Sequence, residues 1–293
     1  MKSILISYSF IFLMAWGFAQ NTIDLKNDNQ KDITLIFSLN TFHNVKVEDA
    51  QAVAEILANH INKSYQDDYK SNVKTLSGAA EIERIVKDNF DCIILSTEEY
   101  IALKNKMPLE AFATNYSEGN IGYKFYLIVN KDSEINDISQ LKNETINILA
   151  SKDQKAAYLW LDKLLKDKKL PSQKKFFKSI VTDYKATNVL LPVFFNKAKA
   201  CIVTESSLNL LSELNPAIKK NIRILNTSEY FLLGVCCLNQ KRKGSKFYNR
   251  LKEMIPTLHQ DEYGSQLLKL FNADKLVPFK EQYLTNYLDL MKN

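Results

Sequence analysis

The feature that most constrains this chain is a repeated change of period. An apolar burst, DITLIFSLN at 32–40, stops in polar residues and reads as a buried strand of the parallel type. The next stretch, VKVEDAQAVAEILANHINKSY, places Ala50, Val53, Ala54, Leu57 and Ile61 on one helical face, with Glu48 and Asp49 in its first turn. NVKTLSG then reads as a strand and AAEIERIVKDN as a helix. FDCIILS is a strand ending at Ser96, and TEEYIALKN is a helix from Thr97. Strand–helix alternation of this kind predicts an α/β domain with a mostly parallel sheet.

That unit closes near Asn120, and a second run follows. GYKFYLIVNKDS is a strand with a turn at Asp132–Ser133. ISQLKN is a short helical turn, and ETINILAS is a strand ending at Ser151. DQKAAYLWLDKLLKDKK is a helix with Ala157, Leu161, Leu164 and Leu165 facing inward, and KKFFKSIVTDY contains another strand. In NVLLPVFFNKAKACIVTESSL the spacing predicts a helix over 188–195, capped by Thr187 or Asn188. Pro192 is expected in or near its first turn, where a missing N–H costs least. Asn196 ends that helix in the left-handed conformation. ACIVT is a buried strand and TESSLNLLSEL a helix. IRILNTSEYFLLGVCCLN returns through further strands, and the tail from Lys246 to Asn293 reads as helical.

The first twenty residues, MKSILISYSFIFLMAWGFAQ, stand apart. Lys2 is their only charge, an apolar stretch runs from Ile4 to Phe18, and the small Ala19 precedes Gln20. This is the pattern of a secretory signal peptide over 1–19, cleaved near Ala19/Gln20, with an uncleaved anchor as the alternative. The apolar run is short for a membrane span, and no cysteine beside it suggests lipidation. The mature chain is expected to be soluble and exported. Its net charge, +6 with the leader included, is mild. The densest basic cluster, NQKRKGSKFYNR, reads as a solvated loop and helix start, so no nucleic-acid partner is expected.

The four cysteines, Cys92, Cys201, Cys236 and Cys237, show no CxxC spacing and lie in strand-like apolar runs, as buried thiols do. An oxidising compartment leaves a disulfide open without assigning its partners. His43, His60 and His259 are scattered, so neither a metal nor another cofactor is expected. An enzyme would need a nucleophile beside a base. Cys201 or Cys92 with His43 is the one candidate set, and the strand positions argue for burial instead, so no catalytic residue is expected.

Several strands end in a hydroxyl or amide cluster that opens a helix: Ser38–Asn40–Thr41, Ser96–Thr97, Ser151–Lys152, Thr182–Asp183 and Thr204–Ser206. Open α/β sheets bind ligands outside the carboxyl ends of their strands, and helix N-termini suit anions. Each cluster is also, taken alone, an ordinary helix cap.

Three passages resemble a known family. They are FSLNTFHNVKVEDAQAVAEIL, then FYLIVNKDSEINDISQLKNETINI with its x-D-S-x-I-x-x-I-x-x-L-K order, and VLLPVFFNKAKACIVTESSL, which is similar to a-v-x-x-G-k-a-D-A-a-x-v. Together they resemble the periplasmic substrate-binding proteins of phosphate, phosphite and phosphonate ABC transporters, of the type II periplasmic binding protein fold. Two departures concern details. The G-k-a-D-A passage reads Asn196-Lys197-Ala198-Lys199-Ala200. The family's S-x-S-G phosphonate loop reads Ser151-Lys152-Asp153-Gln154; a family histidine in the Thr182–Ala186 region is also absent, and Tyr184 lies nearby.

The resemblance implies a two-lobed α/β molecule, each lobe a mostly parallel sheet flanked by helices. Lobe 1 would comprise 31–121 plus 229–293 and lobe 2 122–228, joined by hinge crossings near 118–123 and 226–234. It implies a ligand site of Asn40, Thr41, Ser96, Thr97, Tyr126, Ser151, Tyr184 and Glu205. It implies a periplasmic solute-binding protein, not an enzyme. Such a protein captures a small anionic molecule of phosphate or phosphonate type by hinge closure and passes it to a membrane permease. The alternative is a ligand-binding sensory module that signals to a membrane receptor without transport. A monomer is expected.

Overall fold

The opening burst is a strand, β1 (Asp32–Ser38), almost wholly buried after its first residue. In the computed structural model, which describes residues 32–42, 47–63, 70–150, 155–271 and 273–292, it pairs in parallel with β2 (Lys70–Leu76) and with β3 (Cys92–Ser96). The crossovers are α1 (Val47–Lys63) and α2 (Ala79–Val86), and β3 runs directly into α3 (Thr97–Leu103). The sheet is completed by β4 (Leu109–Ser117) and β5 (Asn120–Ile121) and, from the far end of the chain, β11 (Gly234–Asn239) and β12 (Lys275–Pro278). Its order is β12-β4-β11-β3-β1-β2, with β5 paired to β4.

A second sheet takes β6 (Phe125–Asn130), β7 (Thr145–Leu149), β8 (Ser179–Asp183), β9 (Ala200–Thr204) and β10 (Ile222–Thr227), in the order β10-β6-β9-β7-β8. Between its strands lie α4 (Ala156–Asp167), α5 (Gln173–Phe176), α6 (Ala186–Phe194), α7 (Glu205–Leu214) and α8 (Ala217–Asn221). The tail adds α9 (Lys246–Met254), α10 (Glu262–Lys269) and α11 (Thr285–Lys292).

The two-lobed α/β class expected from the sequence is what forms, but both sheets are mixed. β6 is antiparallel to β9 and β10, and β11 is antiparallel to β3 and β4. The reason is the connection. The chain leaves the first sheet at the edge where β1 and β3 end, so β6 enters the second sheet where β7 and β9 finish and must run against its neighbour. The return strand β11 is reversed for the same reason. The tail, expected to be helical throughout, contributes the edge strand β12, whose KLVP is too short to show a period.

Each sheet is covered on both faces. Ile33, Leu35 and Phe37 pack against Ala54 and Leu57 of α1 and Leu251 of α9, while Ile36, Ile93 and Leu95 face Ile82 of α2 and Leu103 of α3. In the second sheet Leu127 and Val129 meet Trp160 and Leu161 of α4, and Ile128 meets Val189 and Leu190 of α6 on the other side. This is strict period-two alternation along β6. Tyr287 and Leu290 of α11 are buried in the second core, while Leu284 just before the helix is buried in the first and Leu288 packs against it, so the end of the tail bridges the two cores.

Two segments link the sheets, residues 122–124 and 228–233. They pair with each other: Tyr123 N–H donates to the Phe231 carbonyl at 2.9 Å, and Phe231 N–H donates back at 2.7 Å. Gly122 has φ +91°, and a Cβ there would lie 2.2 Å from the Phe231 carbonyl oxygen, so only glycine fits.

The helix over 188–195 starts two residues earlier than expected, so Pro192 lies near its C-terminus and not in its first turn. Its position suits the helix end. Lys197 N–H donates to the Pro192 carbonyl at 2.7 Å and Asn196 N–H to Val193 at 3.0 Å, with Asn196 at φ 55°. These are the paired bonds of a Schellman stop, with asparagine in the left-handed position. Asn130, buried in β6, donates to the Phe194 carbonyl, one more of the helix's free acceptors, and adds a second bond to that of Val193.

Candidate functional site

The carboxyl ends of strands from both sheets border the two linking segments. Thr97 at the end of β3 donates from its N–H to the Leu233 carbonyl and from Oγ1 to the Leu232 carbonyl. On the other side Glu205, just past β9, donates its N–H to the Lys124 carbonyl at 3.0 Å. Among the described residues the lobes also touch directly, through Lys155 N–H and Glu98 Oε1 at 3.4 Å. The residues singled out from the sequence divide between these two rims.

On the first rim the polar groups are engaged internally. Ser96 caps α3, accepting from Glu99 N–H, while Glu99 Oε2 accepts from Ser96 N–H at 2.9 Å; this is a reciprocal capping box. The second oxygen of Glu99 accepts from Asn40 Nδ2 and from Gly78 N–H, both at 3.0 Å. One carboxylate, only 3% exposed, therefore ties together the ends of β1, β2 and β3. Thr41, also buried, donates to the Ser38 carbonyl at 2.7 Å, and Ser38 Oγ accepts from Asn40 N–H. Asn40, Thr41, Ser96 and Thr97 thus all have partners within the lobe.

On the second rim the groups are half-exposed and charged. Lys124 Nζ lies 2.9 Å from Glu205 Oε1, the Tyr126 hydroxyl donates to the same oxygen at 2.6 Å, and the Tyr230 hydroxyl donates to Oε2 at 3.2 Å. The ammonium also lies over both rings, 5.5 Å from the centre of Tyr126 and 5.0 Å from that of Tyr230. Burial alone would raise the Glu205 pKa, but bonds from Tyr126 and Lys124 outweigh it and hold the carboxyl below its ordinary value. The same contacts, with Glu205 foremost, push the Lys124 ammonium above its ordinary value. Both groups are therefore charged at neutral pH.

Beside this cluster Thr204 caps α7 through Ser207 N–H at 3.2 Å, and at the far edge of the sheet, past β7, Asp183 accepts from Lys185 N–H and Asn188 Nδ2. Tyr184 is 71% exposed, with the Lys185 ammonium 5.6 Å from its ring centre. Ser151 and the rest of its loop, 151–154, lie outside the described residues. The structure thus brings Tyr126 and Glu205 into one cluster, together with Lys124 and Tyr230, which the sequence reading passed over. Lys124 precedes a strand and Tyr230 lies between two strands, so neither falls at a strand's carboxyl end. Their signal would have been the linking segments themselves.

An apolar cavity of about 60 Å³ lies inside the first core, lined among others by Leu57, Cys92, Cys236 and Phe271. It lies mainly in the core and reaches the first rim at Thr41 and Leu233. Among the described residues no group of three His, Cys, Asp or Glu side chains is placed to hold a metal, and no helix is long and apolar enough to cross a membrane.

Residues 41–284 match the model of a family described as ABC transporter, phosphonate, periplasmic substrate-binding protein. No curated protein matches the chain. Among solved structures it is similar to XAC2383 from Xanthomonas citri bound to ATP, at 13% identity over 89% of this chain and 96% of that one, with TM-score 0.65. A binding protein component of an ABC phosphonate transporter from Pseudomonas aeruginosa aligns at 15% identity over 90% of this chain and 86% of that one, TM-score 0.63. PhnD1 from Prochlorococcus marinus, in complex with methylphosphonate, aligns at 15% identity over 90% and 98%, TM-score 0.63. At these identities the solved structures establish the shared fold.

Proposed function

The chain belongs to the periplasmic substrate-binding proteins of phosphonate ABC transporters, and from that premise we propose that it captures a small phosphorus oxyanion between its lobes for delivery to a membrane permease. The observation that carries the reading is the Lys124–Glu205 pair, flanked by Tyr126 and Tyr230, where the second sheet's strand ends meet the linking segments. Ligands of open α/β sheets bind at such edges. The paired segments 122–124 and 228–233 lie within or beside the hinge crossings expected near 118–123 and 226–234, with lobe 1 built from 31–121 and 229–293 and lobe 2 from 122–228.

The ligand is proposed to bind chiefly against the second lobe. There Lys124 offers an ammonium to its acidic group, and the Tyr126 and Tyr230 hydroxyls would turn their single protons from Glu205 to the ligand's oxygens. Tyr184 stands exposed on the same rim. The cluster carries one charge of each sign, so it matches best a molecule that does the same. An amino group on the ligand would meet Glu205 and two aromatic rings, and a bare phosphonate would leave that carboxylate without a new partner. On the first rim, Asn40, Thr41, Ser96 and Thr97 shape the cleft while bonded within their own lobe.

The test is a thermal-shift panel on the protein with phosphate, phosphite, methylphosphonate and 2-aminoethylphosphonate. A ligand at about 100 times its Kd stabilises by roughly 2.7 kcal/mol, enough to read directly. A shift with at least one phosphorus oxyanion, largest for the aminoalkyl compound, is the expected result. No shift with any of the four overturns the ligand class and leaves the transport family standing.

A further inference from the structure

We propose that Cys92 and Cys236 are joined by a disulfide in the exported protein, a covalent staple across the first lobe's sheet. The sequence leaves the pairing of four cysteines open, and the fold leaves one choice. Cys92 and Cys236 lie on adjacent antiparallel strands, β3 and β11, as diagonal neighbours: Cys92 stands opposite Leu238, and Cys236 opposite Ile94. Their sulfurs are 3.6 Å apart and point into the same core. Cys237 is the next residue and so faces the other side of the sheet, and Cys201 lies in the second sheet. Neither has a second sulfur on its own face of its own sheet.

A disulfide needs the sulfurs at about 2.05 Å, so they must approach by about 1.5 Å. Both cysteines line the cavity of about 60 Å³ in the first core, which gives side chains there room to adjust. The chemistry balances as two S–H bonds broken and one S–S bond formed. Two protons are released, and two electrons pass to the disulfide of a thiol–disulfide exchange oxidant, which leaves as the dithiol. Both residues are buried, at 6% and 3% exposure, so the exchange takes place before the core closes. Inside the finished core the Cys92 sulfur and burial hold the Cys236 thiol well above its usual pKa, which also places thiolate attack in the incompletely folded chain. The proposal rests on the extracytoplasmic placement that the family carries, because disulfides persist in oxidising compartments.

The test supplies the oxidant itself, so its outcome is independent of the ligand and of export. The full chain is unfolded and reduced, refolded in a glutathione redox buffer, then alkylated with iodoacetamide in denaturant, digested and weighed. Alkylation of Cys201 and Cys237 alone, with a fragment linking 92 to 236, is the expected result. The residues are 144 positions apart, so closing that loop should also raise the melting temperature above that of the reduced protein. Cys201→Ala should keep the reductant-dependent shift. Four alkylated cysteines, a fragment bridged through Cys201, or fragment sequencing that puts the alkyl group on Cys236 and the bridge on Cys237, would overturn the assignment.

Discussion

Strands on both rims of the cleft end in hydroxyl helix caps, Ser96 on one and Thr204 on the other, and the rims differ in the groups that surround those caps. On the first, serine, threonine and asparagine at strand ends are bonded to one another and to Glu99, a carboxylate of the lobe itself. On the second, a lysine, a glutamate and two tyrosines satisfy one another while remaining half-exposed. A hydroxyl cluster where a strand meets a helix is thus compatible with either role. Which role it takes depends on whether an acceptor from the same lobe already occupies the space beyond the helix N-terminus.

The sharpest way to break this comparison is Glu99→Ala. It leaves Asn40 Nδ2, Gly78 N–H and Ser96 N–H without their shared acceptor. Buried donors left unpaired cost about 1–3 kcal/mol each, and water entering the space would offset part of that, so a loss of about 3 kcal/mol is expected in denaturant unfolding. A loss below about 1 kcal/mol would mean the first rim is not organised around Glu99. Gly122→Ala should follow closely, at about 2 kcal/mol. Its Cβ meets the Phe231 carbonyl oxygen at 2.2 Å in a left-handed backbone, so the pairing of the linking segments must give way. Because those segments join the lobes, the variant should also weaken ligand affinity. Unchanged stability and affinity would remove them from the proposed hinge.

Glu205→Gln sharpens the contrast from the other side. The residue is partly solvated and its pair with Lys124 is screened, so stability should fall by about 1 kcal/mol or less. Affinity for an aminoalkylphosphonate should fall at least tenfold, roughly the 1.4 kcal/mol of one lost charged contact. The pH dependence has a defined sign. Glu205 is held below its ordinary pKa when folded, so its contribution is full above the unfolded value of about 4.3 and is lost as pH falls through the folded value. The stability gap between wild type and Glu205→Gln should therefore be constant near neutrality and close under acid. A gap that widens as the pH falls would contradict the charge assignment.

Much of the fold was legible because periodicity is local. The alternation of bursts and amphipathic helices gave β1 to β3 and β6 to β9, and Ser96 and Thr204 marked two helix starts at the correct residue. Asn196 announced its left-handed turn. Strand direction was not legible, because β6 and β11 are antiparallel through the route of the chain between sheets and not through their own residues. Pro192 was misplaced because the helix begins at Ala186, earlier than a cap at Thr187 or Asn188 would allow. At the site, strand ends were visible as clusters, whereas the Glu99 tie joins residues 21 and 59 positions apart. Lys124 and Tyr230 meet only because two linking segments pair.

Tyr184 carries the smallest expected effect and isolates binding from folding. Its ring is 71% exposed and lies beneath the Lys185 ammonium, an arrangement that a solvated pair does little to stabilise. Tyr184→Ala should change stability by no more than about 0.5 kcal/mol. If the second rim receives the ligand and closure brings the lobes together, this exposed ring becomes covered when the ligand binds. Its removal should then lower affinity by a few-fold and leave the unliganded melting temperature where it was. Equal affinity in the two proteins would confine the ligand to the Lys124–Glu205 side of the rim, and a drop in unliganded stability would mean that Tyr184 belongs to the fold and not to the cleft.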